Sequence, residues 1–188
     1  MTTQVINVES AYNKALMLYF DFPTLDFTLN NLIKPLKISK TTANLTISRL
    51  VKEKFLELKI IGKMWRITCN QTHKYNTYKK IPYHLNLIYE SGIIEEIRKK
   101  YPSAKAIILF GSYRKGDDNE KSDIDIAVEI TGEKFNLVEF KKIDIGYRRG
   151  ENKVQVNLHI FSRKSINLNL FSNIANGIVL DGFLEVNP

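Results

Sequence analysis

Apolar residues recur with helical spacing three times in the first third of the chain, which predicts three helices. The first covers residues 9–20. The second covers residues 27–37, with Thr28 as its cap and Pro35 as the residue that ends or kinks it. The third covers residues 38–56 and begins at the cap Ser39. The apolar stripes consist of Ala11, Tyr12, Ala15, Leu16 and Tyr19, then Leu29, Leu32 and Ile33, then Ala43, Ile47, Leu50 and Val51.

A hairpin follows the three helices, because residues 56–69 read as two short strands around Gly62 and Lys63. Three helices and a hairpin make a winged helix-turn-helix, and SKTTANLTISRLVKEKFL resembles the recognition helix of such domains in prokaryotic regulators. The resemblance covers about residues 8–70 and implies that the third helix enters the DNA major groove. The residues expected at DNA are Lys40, Thr41, Thr42, Asn44, Arg49 and Lys63. Trp65 is expected in the core. Docking or dimerisation is the alternative use of such a domain.

The second half of the chain alternates between helical and extended patterns. Residues 91–101 predict an amphipathic helix, and residues 105–110 form a continuous apolar run typical of a buried strand. Residues 122–130 and 153–161 alternate with the period of strands, and a helix is expected within residues 133–148. A helix and a short apolar segment end the chain over residues 165–183. This order predicts an α/β domain on a small mixed sheet, and an α+β fold for the whole chain.

The break between the two halves falls in a polar, tyrosine-rich segment with little periodicity. We therefore predict a first domain over residues 1–70, a linker over residues 71–84 and a second domain over residues 85–188.

Charge is divided unevenly between the two halves. Residues 1–80 contain 13 Lys and Arg against 5 Asp and Glu, whereas residues 81–188 contain 15 of each kind. The whole net charge of +8 therefore lies in the first half, which favours contact with a polyanion such as DNA. With a single cysteine, no internal disulfide can form, and the chain carries neither a signal-peptide pattern nor a long apolar run. We expect a cytoplasmic protein without membrane contact.

The stretch LFGSYRKGDDNEKSDIDIAV, residues 109–128, carries the clearest chemistry. Alternation places Asp123 and Asp125 on one face of a strand, roughly 6–7 Å apart along it. Two carboxylates this close repel each other unless a cation lies between them, and Mg²⁺ is commonly held by one or two carboxylates plus substrate phosphates. Gly111 permits close approach of a phosphate to the backbone, and Ser112 can donate hydrogen bonds to it. A phosphate cradle beside a metal-binding pair favours nucleotidyl transfer.

The same residues resemble the signature of the DNA polymerase β-like nucleotidyltransferase superfamily, in its minimal form from archaea and bacteria. The resemblance rests on GSYRKGDDNEKSDIDI, with IILFGS before it and NGIVLDGFL near the end, and covers about residues 85–188. It implies that Gly111 and Ser112 contact a nucleoside triphosphate and that Asp123 and Asp125 hold Mg²⁺ or Mn²⁺. It also implies a phosphate-neutralising role for Lys115 or Arg114.

One position departs from the pattern of that superfamily. A third carboxylate usually stands on a later strand beside the pair and helps to activate the attacking hydroxyl. The matching strand here reads KVQVNLHIF, and the expected position is Asn157 or Gln155. Neither amide can act as a base. Glu151 and His159 are alternatives for that role.

Two functions follow from these patterns. The first is Mg²⁺-dependent transfer of a nucleoside monophosphate from an NTP to an acceptor hydroxyl. The resemblance includes antitoxin-like relatives that modify a partner protein, so the acceptor can belong to a protein. The second is a DNA-binding regulator whose degenerate second domain only binds nucleotide. Homodimer formation is left open, because winged helices often dimerise but no heptad pattern is present.

Overall fold

The structure is a computed structural model that describes residues 2–62, 64–132 and 136–185 of the chain. The chain divides into two compact units, Met1–Lys80 and Ile81–Pro188. The first contains helices and a two-stranded sheet, and the second contains a five-stranded sheet with helices. The described residues therefore form the mixed α+β fold that the hydrophobic pattern predicts.

The first unit begins with the three helices that the apolar stripes predict. Its elements are α1 Thr2–Asp21, α2 Leu29–Leu36, α3 Lys40–Lys52, the antiparallel strands β1 Leu56–Ile61 and β2 Met64–Cys69, and a π-helix Asn76–Lys80. The Thr28 hydroxyl accepts the N–H of Asn31 at 3.2 Å, and the Ser39 hydroxyl accepts the N–H of Thr42 at 3.1 Å. Both predicted caps are confirmed, and α2 ends one residue after Pro35.

The second unit follows the predicted alternation of helices and strands. Its elements are α4 Ile81–Glu90, α5 Ile93–Lys100, β3 Ala104–Phe110, α6 Gly111–Lys115, β4 Ile124–Ile130, β5 Asn136–Ile143, a 3-10 helix Gly150–Asn152, β6 Val154–Phe161, α7 Leu168–Ala175 and β7 Ile178–Gly182. The sheet has the order β5-β6-β4-β3-β7. Strands β4 and β6 are parallel, whereas the other neighbours are antiparallel. The sheet is therefore mixed, as predicted.

The two faces of this sheet are covered differently. On one face, the isoleucines of α5 pack with alternate apolar residues of the strands, including Ile107, Ile126 and Val156. On the other face, Ile174 of α7 packs with residues of β3 and β4 such as Ile108. Strand β5 lies at the edge of the sheet beyond β6, and its side chains on the α7 face of the sheet, such as Phe140, are exposed. We call this second, partly open face the site face.

One prediction about local structure is wrong. The region 133–148 was expected to include a helix, but residues 136–143 form β5 and pair with β6 along its whole length. The hydrophobic pattern of residues 136–143 does not distinguish a helix from a strand. Pairing with the edge of β6, a tertiary contact, therefore decides their conformation. The predicted linker, residues 71–84, contains the π-helix Asn76–Lys80 and the first residues of α4, and the division between the two units falls within it, after Lys80.

Candidate active site

The two aspartates of the GSYRKGDDNEKSDIDI motif lie where β4 begins. Asp123 comes directly before the strand, and Asp125 is its second residue. Ile124 and Ile126 are fully buried in the core on the opposite face. This burial places the two aspartates on the site face, because successive side chains of a strand point to opposite faces.

Gly111 follows the end of β3 and lies directly against Asp125. Its φ angle is +74°, a conformation that residues with a side chain rarely adopt. A Cβ atom at this position would lie 2.4 Å from Oδ2 of Asp125, which is far inside van der Waals contact. Phe110, the preceding residue, pairs with Asp125 across the sheet. Glycine is therefore required here both by the backbone and by the neighbouring carboxylate.

Asn157 is opposite Asp125 in the parallel pairing of β4 and β6. Its Nδ2 donates to Oδ1 of Asp125 at 3.1 Å and to Oδ2 of Asp123 at 3.4 Å. Gln155 donates from Nε2 to the same oxygen of Asp123 at 3.1 Å and to Oδ1 of Asn157 at 2.9 Å. Two neutral amides thus bridge the carboxylates at the position where a third acid was expected.

The described residues contain no cluster of three or more carboxylate, imidazole or thiolate side chains that could hold a metal ion. The donor set consists of Asp123 and Asp125, whose oxygens are shared with the amides. Mg²⁺ commonly takes one or two protein carboxylates and completes its shell with phosphate oxygens and water. The residues therefore fit an ion that arrives with a nucleotide, and they provide little charge to hold one without it.

His159 is the next residue of β6 on the site face. Its Nε2 lies 3.6 Å from Oδ1 of Asp125, beyond ordinary hydrogen-bond distance, and its ring packs edge-on against Phe110 at 5.1 Å. Glu151, the other alternative for the third acid, lies in the short 3-10 helix before β6, and its side chain is outside the described residues. Of the two alternatives, only His159 has a described position next to the pair.

A cleft of about 210 Å³ opens on the β3 side of the aspartates. It is lined by Phe110, Gly111, Arg114, Lys115, Asn173 and Asn176. The predicted phosphate-binding residues Gly111 and Lys115 thus share one cleft. The two asparagines come from the end of α7, and sequence spacing does not indicate them because that helix is more than fifty residues away.

A buried polar cluster lies under the motif. Arg148 donates from Nη1 to the Tyr113 hydroxyl at 2.9 Å, and its Nη2 lies 4.0 Å from Oδ2 of Asp118. The His84 ring lies 4.7 Å from the Tyr113 ring, and its Nδ1 is 3.6 Å from Oδ1 of Asp118. All four side chains are 2% exposed or less. The cluster connects α6, the loop after it, α4 and residue 148. It therefore packs against the buried side of the Gly-Ser motif. Sequence reasoning did not find it.

Three features thus lie together: an aspartate pair at the start of β4, the positive-φ glycine that packs against it, and the polar residues of the neighbouring strand β6. Residues 90–179 match the family model of the nucleotidyltransferase domain. The matched segment includes Gly111, Asp123, Asp125 and Asn157, and it supports nucleotidyl transfer as the general activity of this part of the chain. No curated protein shows a significant match to the chain.

The first unit brings together only some of the residues predicted to contact DNA. Lys40 and Asn44 line a cleft of about 290 Å³ with Met64 and Trp65 of the hairpin. Trp65 was expected in the core, but it is half-buried at this cleft, because it lies one residue pair from the end of the two-stranded sheet. Thr41 is exposed at the start of α3. Lys63 lies outside the described residues.

Two other residues that were predicted to contact DNA, Thr42 and Arg49, contact side chains of the first unit. The Thr42 hydroxyl lies 2.8 Å from the Ser39 hydroxyl at the cap of α3. Arg49 pairs with Glu9 at 2.9 Å and with Glu53 at 3.1 Å, and its guanidinium lies 4.0 Å from the Tyr12 ring centre.

Within the described residues, no helix has the length and hydropathy that crossing a membrane requires.

Proposed function

We propose that the second unit transfers a nucleoside monophosphate from an NTP to an acceptor hydroxyl and releases pyrophosphate. The observation that carries this proposal is the close packing of Asp125 against Gly111, which places the carboxylate pair beside the cleft lined by Gly111 and Lys115. The family match over residues 90–179 supports the same reaction class.

Each residue has a role that follows from its position. Asp123 and Asp125 would hold Mg²⁺ or Mn²⁺ together with the phosphates. Gly111 and Lys115 line one cleft, where Gly111 would let the triphosphate approach the backbone and Lys115 would offset its charge. Ser112 is the next residue of α6, half-buried, and would donate to the phosphates. When bound, the ion neutralises phosphate charge and stabilises the leaving pyrophosphate. The side chains of Asn157 and Gln155 orient the carboxylates but cannot accept the proton of the acceptor hydroxyl.

The test is a transfer assay with α-³²P-labelled NTPs, supplied one at a time with Mg²⁺ or Mn²⁺ and a host-cell extract. We expect label from at least one NTP on a macromolecule. The identity of that NTP gives the base preference. Absence of transfer with every NTP and both metals would contradict the proposal and favour the regulator described below.

The substitution Asn157→Asp tests the third-acid position. A carboxylate there would add negative charge for the metal and a proton acceptor for the hydroxyl, and general-base catalysis typically contributes about 10²–10⁴-fold. We expect at least about a tenfold increase in transfer rate. Without metal, the third carboxylate should lower the Tm, because three like charges then lie together, and a Mg²⁺–nucleotide complex should restore it. An unchanged rate and unchanged Tm would mean that residue 157 does not face the metal.

A second candidate function is DNA-dependent regulation, in which the first unit is a winged helix that binds DNA. It is favoured by the +8 charge of residues 1–80 and by Lys40 and Asn44, which share a cleft at the start of α3. Arg49 is left out of this surface because Glu9 and Glu53 already pair with it. The exposed apolar residues Ile60, Ile61 and Met64 of the hairpin favour docking as the alternative role.

We expect Lys40→Ala to weaken binding to duplex DNA several-fold and to reduce the slope of log K against log salt by about 0.9, the value for one lost phosphate contact. Lys99→Ala is the matched control, since Lys99 is an exposed lysine of the second unit. Electrophoretic mobility shifts at several salt concentrations measure both quantities. Equal effects of the two substitutions would contradict DNA binding through α3.

A further inference from the structure

The site face continues past Asn157 onto the edge strand β5. Phe140 pairs with Asn157, and Lys142 pairs with Gln155, in the antiparallel register of β5 and β6. Directly paired residues point to the same face, with Cβ atoms about 5 Å apart. The side chains of Phe140 and Lys142 therefore lie beside the amides that contact the aspartates.

Phe140 is 67% exposed, although it is a large apolar side chain. The strand that carries it is well fixed: eight residue pairs join β5 to β6, and Ile143 is buried. On the opposite face, the Tyr101 hydroxyl donates to Glu139 at 2.8 Å, and Lys100 holds the pKa of the Glu139 carboxyl below its ordinary value. Phe140 is thus an exposed aromatic ring on a strand that pairs with β6 along its whole length.

A second cleft of about 210 Å³ includes Lys142, which lies two residues from Phe140 on the same face of β5. Its charged lining residues are the bases Lys121, Lys142, Lys153 and the buried Arg148, against the acids Glu120 and Asp123; Gln155 lines it as well. Lys121 and Lys142 are exposed and form no ion pair within the described residues. Lys153 pairs with Asp144 at 3.0 Å. The pKa of the Asp144 carboxyl is lowered by the Gly150 N–H and then by Lys153. The cleft therefore has cations available for an anionic ligand.

The sheet order separates this cleft from the one that contains Gly111 and Lys115. The phosphate-binding cleft lies on the β3 side of β4, whereas Phe140 and Lys142 lie beyond β6 on the other side. The aspartates are between the two. A triphosphate bound at Gly111 would leave the β6–β5 side free for the molecule that receives the nucleotide.

We propose that Phe140 and the basic cleft bind the end of a single-stranded nucleic acid, whose terminal hydroxyl is the acceptor. An exposed aromatic ring next to phosphate-binding cations is the combination by which proteins bind single strands, because every base can stack and every nucleotide carries a phosphate. This inference rests on the proposed nucleotidyl transfer. The hydroxyl oxygen bonds to the α-phosphorus of the NTP, the bond from that phosphorus to the bridging oxygen breaks, pyrophosphate leaves with the electron pair, and the hydroxyl proton passes to solvent. The product is one nucleotide longer.

The test uses the full chain and fluorescein-labelled 10-nucleotide RNA and DNA single strands. Fluorescence anisotropy measures binding without catalysis. We expect Phe140→Ala to weaken binding by about 5–100-fold, the effect typical of a lost stacking contact. Lys142→Met should weaken it and lower the salt slope by about 0.7. The matched controls Phe183→Ala and Lys164→Met change an exposed phenylalanine and an exposed lysine of the same unit and should leave binding unchanged. Comparison of RNA with DNA shows which sugar is accepted.

A Lys40→Ala background separates this site from the first unit, and photo-crosslinking of 4-thiouridine RNA should mark the peptide that contains Phe140. Unchanged binding by Phe140→Ala, or crosslinks confined to the first unit, would overturn the inference. Label that appears on a protein and does not depend on Phe140 would overturn it while leaving nucleotidyl transfer intact. Strand binding that needs Phe140, without transfer from any NTP, would support the binding site and count against the proposed reaction.

Discussion

Replacing Asp125 with asparagine is expected to lower the rate of nucleotidyl transfer by about 10³-fold. The substitution keeps the shape of the side chain and removes one negative charge from the pair. A metal that stabilises phosphate charge contributes several kcal/mol, and each 1.36 kcal/mol changes a rate tenfold. Asn157 already donates to Oδ1 of Asp125, and an amide at residue 125 can still accept that hydrogen bond. The loss should therefore fall on catalysis and not on folding.

Thermal unfolding separates the two effects. Without metal, Asp125→Asn should leave the Tm unchanged or slightly raised, because it relieves repulsion between two neighbouring carboxylates. Addition of Mg²⁺ and NTP should raise the Tm of the unsubstituted chain more than that of the variant, since ligand binding to the native state stabilises it. Asp117→Asn is the matched control, as Asp117 is an exposed acid of the loop before β4. A variant at residue 125 with full activity would exclude this carboxylate from the reaction.

Replacing Gly111 with alanine is expected to lower the rate of transfer by at least about 10²-fold even though the two aspartates remain. The new Cβ would lie 2.4 Å from Oδ2 of Asp125, so the carboxylate or the end of β3 must move. A misplacement of about 1 Å at a catalytic group can cost about 10²-fold in rate. The positive φ adds roughly 1–2 kcal/mol of backbone strain.

Gly92→Ala provides a control with the same backbone cost. Gly92 has φ +75° and belongs to the same unit, but a Cβ there would meet no atom within 4 Å. Gly92→Ala should lose the stability that the backbone strain costs, Gly111→Ala should lose that amount plus the cost of the clash, and only Gly111→Ala should lose transfer. Equal activity of the two variants would show that the contact with Asp125 does not matter for the reaction.

Local pattern predicted much of the fold because local contacts decide it. The caps Thr28 and Ser39 bond to N–H groups three residues away, so their effect is visible in a short stretch of sequence. The alternation around Asp123 and Asp125 likewise follows from Ile124 and Ile126, which enter the core. Such signals need no knowledge of the rest of the chain.

Two of the missed features depend on long-range pairing. Residues 136–143 form a strand because β6 lies beside them, and their own sequence does not exclude a helix. The buried cluster of His84, Tyr113, Asp118 and Arg148 joins parts of the chain separated by up to sixty-four residues. No spacing rule connects such positions. Their contacts arise only when the helices and strands pack.

By itself, the sequence determined that two carboxylates follow a Gly-Ser turn on one face of a strand, and that the expected third acid is absent. These are properties of residue identity and of the two-residue period of a strand. Only the tertiary structure decided that Asn157 bridges both aspartates, and that Phe140 and Lys142 extend the same face. The register between strands is set by core packing along whole elements, and therefore no single segment encodes which side chains meet across the sheet.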